Sequence, residues 1–195
     1  MARRPISHRD FVRDLARGTE GEEIVEEFLL EEFGLICENV SQNNPDFDIL
    51  ITGVCTDWAK SKGVVSKKLF KKILKDGFGF RNKKDLSVEV KYDQAAARSG
   101  NLFIELFFDI TEGKPGTIFK CKADVICWVI PRARKKKSIY LFRRAEMLAW
   151  LFEYMRENKI KLKTPGVSPY ARGMAVPVDQ IADGFACLGE YTFKY

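Results

Sequence analysis

Histidine is almost absent from this chain: of its 195 residues, only His8 carries an imidazole. Any mechanism that needs two histidines, including the H-E-x-x-H metalloproteases, is thereby excluded. Cysteine is sparse and odd in number, with Cys37, Cys55, Cys121, Cys127 and Cys187 forming no C-x-x-C pair. That spacing argues against a disulfide framework and against a zinc ribbon, and predicts reduced, mostly buried thiols. No apolar run approaches the ~18 residues of a membrane span. The opening Met1-Ala2-Arg3-Arg4-Pro5 leads into polar residues rather than the apolar stretch of a secretory leader. A cytoplasmic location is therefore expected, without a membrane partner. Internal repeats and low-complexity segments are missing as well, and the length suits one domain over 1–195.

Positive charge is what the chain has in excess, and it is unevenly spread. The formal net charge is +6, yet residues 20–38 hold eight acids and no base, so the remainder stands at +14. Between Trp58 and Lys84 ten bases face a single acid, Asp76. A basic surface of this size suits an anionic polymer, although charge alone does not separate DNA from RNA or a membrane.

Periodicity organises the rest. Ile24, Val25, Phe28, Leu29 and Phe33 recur at helical spacing over 19–33, and Gly34 is a candidate C-cap. Residues 1–17 read as a basic arm, helical from Ser7 onward. A strand at 35–40, a turn at Ser41–Pro45 and a short apolar strand at Asp48–Ile51 follow. Residues 56–84 look like an insertion, in which Leu69, Phe70, Ile73 and Leu74 share one helix face with lysines around it. Alternation returns at Leu86–Lys91 and again at Asn101–Ile110. Asp124–Ile130 and Ser138–Phe142 read as a strand pair joined by the basic turn 131–137. Arg144–Asn158 reads as a helix with Met147, Leu148, Leu151, Phe152 and Met155 as its buried stripe, and a short helix is expected at Val178–Ala182. This order describes an α/β sandwich around one mixed sheet flanked by helices.

The chemistry centres on Glu89-Val90-Lys91. Two charged side chains at i and i+2 share one strand face while Val88 and Val90 fill the other. Alone, E-x-K is usually a surface ion pair. Upstream, however, Pro45-Asp46-Phe47-Asp48 puts carboxylates at the mouth of another short strand, on one face if the extended conformation begins at Asp46. Phosphodiester hydrolysis needs a hard divalent cation, and Mg²⁺ is commonly held by one or two carboxylates plus waters and substrate oxygens. A lysine alongside would orient or help deprotonate the attacking water.

Pro45-Asp46 or Phe47-Asp48, followed by Glu89-Val90-Lys91, resembles the PD-(D/E)XK nuclease superfamily, which includes restriction endonucleases, Holliday junction resolvases and many phage nucleases. The run Val88-Glu89-Val90-Lys91-Tyr92-Asp93, then Ser99-Gly100-Asn101 and Glu105, is similar to phage and plasmid members carrying E-V-K-x-D and (T/S)-G-N-x-x-x-E. Over roughly 18–110 the resemblance implies a restriction endonuclease-like core and a Mg²⁺- or Mn²⁺-dependent deoxyribonuclease, an endonuclease more readily than an exonuclease. Asp48 or Asp46 would bind metal with Glu89, and Lys91 would act on water. Gly21-Glu22-Glu23-Ile24-Val25 fits the family's G-E-x-x-V, which makes Glu22 a further catalytic candidate; otherwise it is a helix N-terminal acid stabilised by the dipole. Asn101 and Glu105 would support the site, the alternative being a plain turn and an exposed strand residue. Tyr92 and Asp93 would form an outer pair.

Lys67, Lys68, Lys71 and Lys72 of the insertion, with Arg134, Lys135 and Lys136 of the basic turn, are the expected contacts to the nucleic-acid backbone. A solvated basic helix explains the insertion equally well. Small members of the superfamily often act as dimers, so a homodimer is allowed, as is a viral protein acting inside its host. The competing readings are a non-catalytic nucleic-acid-binding module on a nuclease-like fold, and an assembly protein whose basic face meets an acidic partner.

Overall fold

A computed structural model describes residues 8–61, 63, 66–132, 136–158, 162, 171–183 and 187–194. The amphipathic pattern at 19–33 belongs to a longer helix, α1 (His8–Phe33). The arm is helical from His8, as expected from Ser7 onward, while residues 1–7 lie outside the described residues. Ile24, Val25, Phe28 and Leu29 are fully buried, each worth roughly 1.5–3 kcal/mol of burial. Gly34 ends the helix with φ +65°, and its N–H donates to Leu30 O at 2.8 Å. Only glycine suits this left-handed cap, and a Cβ there would lie 2.3 Å from the Trp58 ring.

Among the described residues, six strands form the main sheet in the order β1-β2-β3-β6-β7-β9. They are β1 (Leu35–Asn39), β2 (Ile49–Val54), β3 (Leu86–Tyr92), β6 (Val125–Pro131), β7 (Lys136–Arg143) and β9 (Cys187–Lys194). All neighbours are antiparallel except β3 and β6, which run parallel. The insertion supplies α2 (Thr56–Ser61) and α3 (Ser66–Lys72), the latter ending in a π-helical turn at Ile73–Gly77. Phe70 and Leu74 anchor it beneath the sheet.

A parallel pair cannot be joined by a hairpin and needs a crossover. Here the crossover is built mainly from strand: α4 (Ala96–Ser99), β4 (Asn101–Asp109), the two-residue β5 (Lys114–Pro115) and α5 (Thr117–Lys120). β4 does not join the main sheet. It pairs with β5 and with β8 (Arg172–Pro177) in a second, three-stranded sheet. This corrects the expectation of one sheet. The Gly- and Pro-bearing tail hid β8, although its neighbouring helix α7 (Val178–Ala182) lies where expected.

The two faces of the main sheet bury separate cores. Leu86, Val88 and Val90 of β3 pack with α1 and α3 in one. Ile126, Trp128, Tyr140 and Phe142 pack with the small sheet and with α6 (Arg144–Asn158) in the other. Within α6, Met147 and Leu151 are buried, but Phe152 is 60% exposed. The predicted apolar stripe is therefore narrower than its five residues suggested, and Phe152 lies edge-on to Phe119. Lys136 and Lys137 prolong β7 into the expected basic turn, which shortens it; Arg134 and Lys135 lie outside the described residues.

Candidate active site

Strand β3 carries the site because its two faces differ. Val88 and Val90 point into the α1 core, whereas Glu89 and Lys91 point to the face covered by the small sheet, opposite Ile126 and Trp128 of β6. Glu89 is 6% exposed, and its Oε1 accepts a hydrogen bond from Lys91 Nζ. A buried carboxylate is costly without a partner, and Lys91 is that partner.

Asp48 reaches the same place from the mouth of β2. Its N–H donates to Val88 O at 3.0 Å and its carbonyl accepts from Val40 N–H at 2.9 Å, so its backbone is held from both sides. Its carboxylate Oδ2 accepts the Val90 N–H at 2.7 Å. Burial pushes the Asp48 carboxyl up to about 6, with further upward pressure from the Glu89 and Glu22 charges against the opposing Val90 N–H and Lys91. Asp48 and Glu89 thus form an electrostatically coupled carboxylate pair with one lysine beside it.

Asp46 is placed elsewhere. Residues 46–48 are not strand, so the two aspartates do not share a strand face as expected. Asp46 Oδ2 accepts from Lys122 Nζ at 2.8 Å, and Asp46 O accepts from Lys122 N–H at 2.8 Å. Of the two candidates, Asp48 is the one coupled to Glu89.

Glu22 is half-buried on α1 and accepts hydrogen bonds from Asn39 Nδ2 at 2.8 Å and Ser41 Oγ at 2.9 Å. The end of β1 and the turn after it therefore hold its carboxylate, and its charge reaches Asp48. The helix comes this close because of Gly21. A Cβ there would sit 3.0 Å from Tyr92 Cβ, tighter than ordinary contact.

Glu105 arrives from β4, the crossover strand. Burial pushes its carboxyl up, opposed by the Thr117 backbone N–H and by Lys91. Gly116 makes that seat: a Cβ would lie 2.0 Å from Glu105 O and 3.1 Å from Glu105 Cγ. Gly116→Ala is expected to displace β4 from the site and destabilise the fold by about 2 kcal/mol. Chemical denaturation checks this; an unchanged midpoint would show that Glu105 is not held by this contact.

Asn101 is not brought to the acids by any bond of its own side chain. Its Nδ2 donates to Ser99 O at 2.8 Å, and its N–H donates to Ser99 Oγ at 3.1 Å, closing the turn before β4. Asp93 Oδ1 accepts from Ala96 N–H at 2.9 Å and tethers the start of α4. Tyr92 Oη donates to Glu20 Oε1 at 3.0 Å.

Lys137 was not singled out in the sequence beyond its membership of the basic turn. It is buried, and its Nζ donates to Glu20 Oε1 at 3.1 Å and to Tyr92 Oη at 3.3 Å. Burial works to depress Lys137, but these two bonds hold it above lysine's ordinary value. Its strand parity with Ile139 and Leu141 was the available signal. That parity puts Lys137 on the α1 face, away from Glu89; Cys121 is the unanticipated neighbour of Glu89, its thiol pushed up by burial and then by that charge.

The chain matches no family model, no curated protein and no solved structure. The site must therefore be weighed by its own chemistry.

Two oxygen donors, one of them raised by burial and then by the charge of the other, form a donor set suited to a hard divalent cation. Among the described residues, no group of three or more His, Cys, Asp or Glu side chains is preassembled to hold a metal. Asp48 and Glu89 are the residues that would bind the cation; Glu22 lies within electrostatic reach of Asp48, and Glu105 within that of Lys91. Of the basic candidates, Lys68, Lys71 and Lys72 are exposed on α3, with Lys72 paired to Asp76 at 2.6 Å. The side chain of Lys67 lies outside the described residues. Lys136 is exposed at the start of β7, opposite Lys194.

Proposed function

We propose that this chain is a metal-dependent nuclease that hydrolyses phosphodiester bonds in DNA, with Asp48, Glu89 and Lys91 at its centre. The reading rests on one observation above all: a half-buried aspartate held up to about 6 by burial and a neighbouring buried glutamate, with a lysine paired to that glutamate. A purely structural arrangement would have little reason to bring these charges together at a cost in stability. The order Asp48, Glu89, Lys91 and the mixed sheet that carries them support a restriction endonuclease-like core and an endonuclease of phage-like character.

In this mechanism Asp48 and Glu89 would hold Mg²⁺ or Mn²⁺, which when bound would supply Lewis-acid stabilisation of charge on the phosphoryl oxygens. Lys91, kept in place by Glu89, orients the attacking water toward phosphorus and offsets charge as the transition state forms. The Val90 N–H fixes the Asp48 carboxylate so that it need not reorganise on binding. Glu22, held by Asn39 and Ser41, adds negative charge beside Asp48, and Glu105, held by the Thr117 N–H, adds it beside Lys91.

The test is incubation of the purified protein with labelled linear, single-stranded and branched DNA in Mg²⁺, Mn²⁺ or EDTA, beside the Glu89→Ala variant. Cleavage that requires the cation and disappears in the variant is the expected result. Binding without product in every lane would replace the enzyme with a non-catalytic nucleic-acid-binding module.

A further inference from the structure

Three lysines from separate parts of the insertion converge on one groove. Lys71 comes from α3, and Lys83 and Lys84 come from the segment leading into β3; together with Thr52 of β2 and Phe70 they line a space of about 630 Å³. No acid lines it. Lys83 is partly neutralised by Asp124, at 2.5 Å, and Asp124 in turn accepts from Ser87 N–H and Oγ at the start of β3. Lys71 and Lys84 stay exposed. The positive charge of Lys71 and Lys84 is therefore not offset by the Asp124 pair, and the groove is poised to gain from an anion.

A second groove, which reaches Cys55 and Thr56 just beyond β2, has the reverse character: Glu23, Glu26 and Glu27 of α1 line it with Ile36 and Cys37 of β1. A polyanion is repelled by that groove and drawn toward the lysines.

Position along β2 then sets a distance. Thr52 and Val54 lie four and six residues beyond Asp48, or about 13–20 Å at ~3.3 Å per residue. Nucleic acid advances ~3.4 Å per nucleotide along one strand, so this span corresponds to about four to six steps. We propose that the Lys71–Lys83–Lys84 groove holds the phosphodiester backbone of the nucleic acid cut at Asp48 and Glu89, about four to six nucleotides from the scissile bond. The position of the cut rests on the nuclease reading; the groove's affinity for a phosphodiester backbone does not.

The experiment measures binding of a labelled 20-bp duplex in EDTA across a salt series, for wild type, Lys71→Ala/Lys84→Ala and the charge control Arg156→Ala/Lys194→Ala. Each lost phosphate contact lowers the log–log salt slope by about 0.9, so the groove variant is expected to lose about 1.8 and roughly tenfold in affinity. The control keeps the wild-type slope, and all three proteins melt alike because the substituted side chains are exposed. An unchanged slope in the groove variant, or an equal fall in the control, overturns the proposal. Methylphosphonates placed four to six nucleotides from the mapped cut should weaken wild type but not the groove variant; weakening of both equally also overturns it. A groove-dependent slope in a protein that cuts nothing supports the groove and removes only the nuclease.

Discussion

Glu89→Gln and Lys91→Ala are each expected to lower single-turnover cleavage by at least about 10³-fold, close to 4 kcal/mol of transition-state stabilisation. Duplex affinity in EDTA should stay within about threefold of wild type. Glutamine keeps the shape of a side chain that is only 6% exposed between β3 and the small sheet. What it removes is the charge that pairs with Lys91 and that would hold the cation. Lys91→Ala acts differently, because it leaves Glu89 charged, buried and without its partner. That variant should also lose about 1–3 kcal/mol of stability, a loss that Glu89→Gln escapes. The two residues act as a unit, so the double variant should cleave no more slowly than the worse single one. Stopped-time cleavage with fluorescence anisotropy for binding separates these quantities. Metal-dependent cleavage retained in both single variants would sink the assignment.

Much of this site could be read along the chain because β3 is a strand whose two faces differ in chemistry. The alternation Leu86, Val88, Val90 against Ser87, Glu89, Lys91 sets parity without knowledge of any neighbour. Helix α6 and the short helix α7 were equally local, and their bounds agree with the periodic signal. What could not be read was partnership. β4 alternates as clearly as β3, yet nothing in its own residues says that it pairs with β8, some 70 residues later, rather than with the main sheet. The face of Phe152 failed for a related reason, since helical spacing gives an arc but not how much of it is covered.

The aspartates illustrate the same limit at higher resolution. Asp46 and Asp48 are two residues apart and chemically identical, so spacing alone left both available. Their separation depends on Lys122, 76 positions beyond Asp46, and on the Val90 N–H, 42 positions beyond Asp48. Similarly, the seat of Glu105 depends on Gly116 approaching its backbone across a turn. The basic insertion was visible as composition, but the convergence of Lys71 with Lys83 and Lys84 needed α3 to be docked by Phe70 and Leu74.

Asp48→Asn is expected to make the protein more stable at pH 8 while abolishing its cleavage. The Asp48 carboxyl ordinarily ionises at 3.8 and in the fold at about 6. A group that holds its proton more tightly when folded favours the native state at low pH. Its contribution is fully present below about 3.8, falls as pH rises toward 6, and is gone above it. At about 1.4 kcal/mol per pH unit the ceiling is near 3 kcal/mol, and partial exposure of the carboxyl reduces this to roughly 1–2 kcal/mol. Asparagine has no charge to desolvate, and its Oδ1 can still accept the Val90 N–H. The variant should therefore melt about 3–6 °C above wild type at pH 8, and the difference should vanish near pH 4. Saturating Mg²⁺ should narrow the gap at pH 8 by stabilising wild type alone, since a ligand that binds only the native state adds its binding free energy to folding. Melting curves at the two pH values, with and without Mg²⁺, measure every part of this. A variant less stable than wild type at pH 8 would mean that the Asp48 charge is a structural anchor, and that the carboxylate pair is not strained for the sake of a cation.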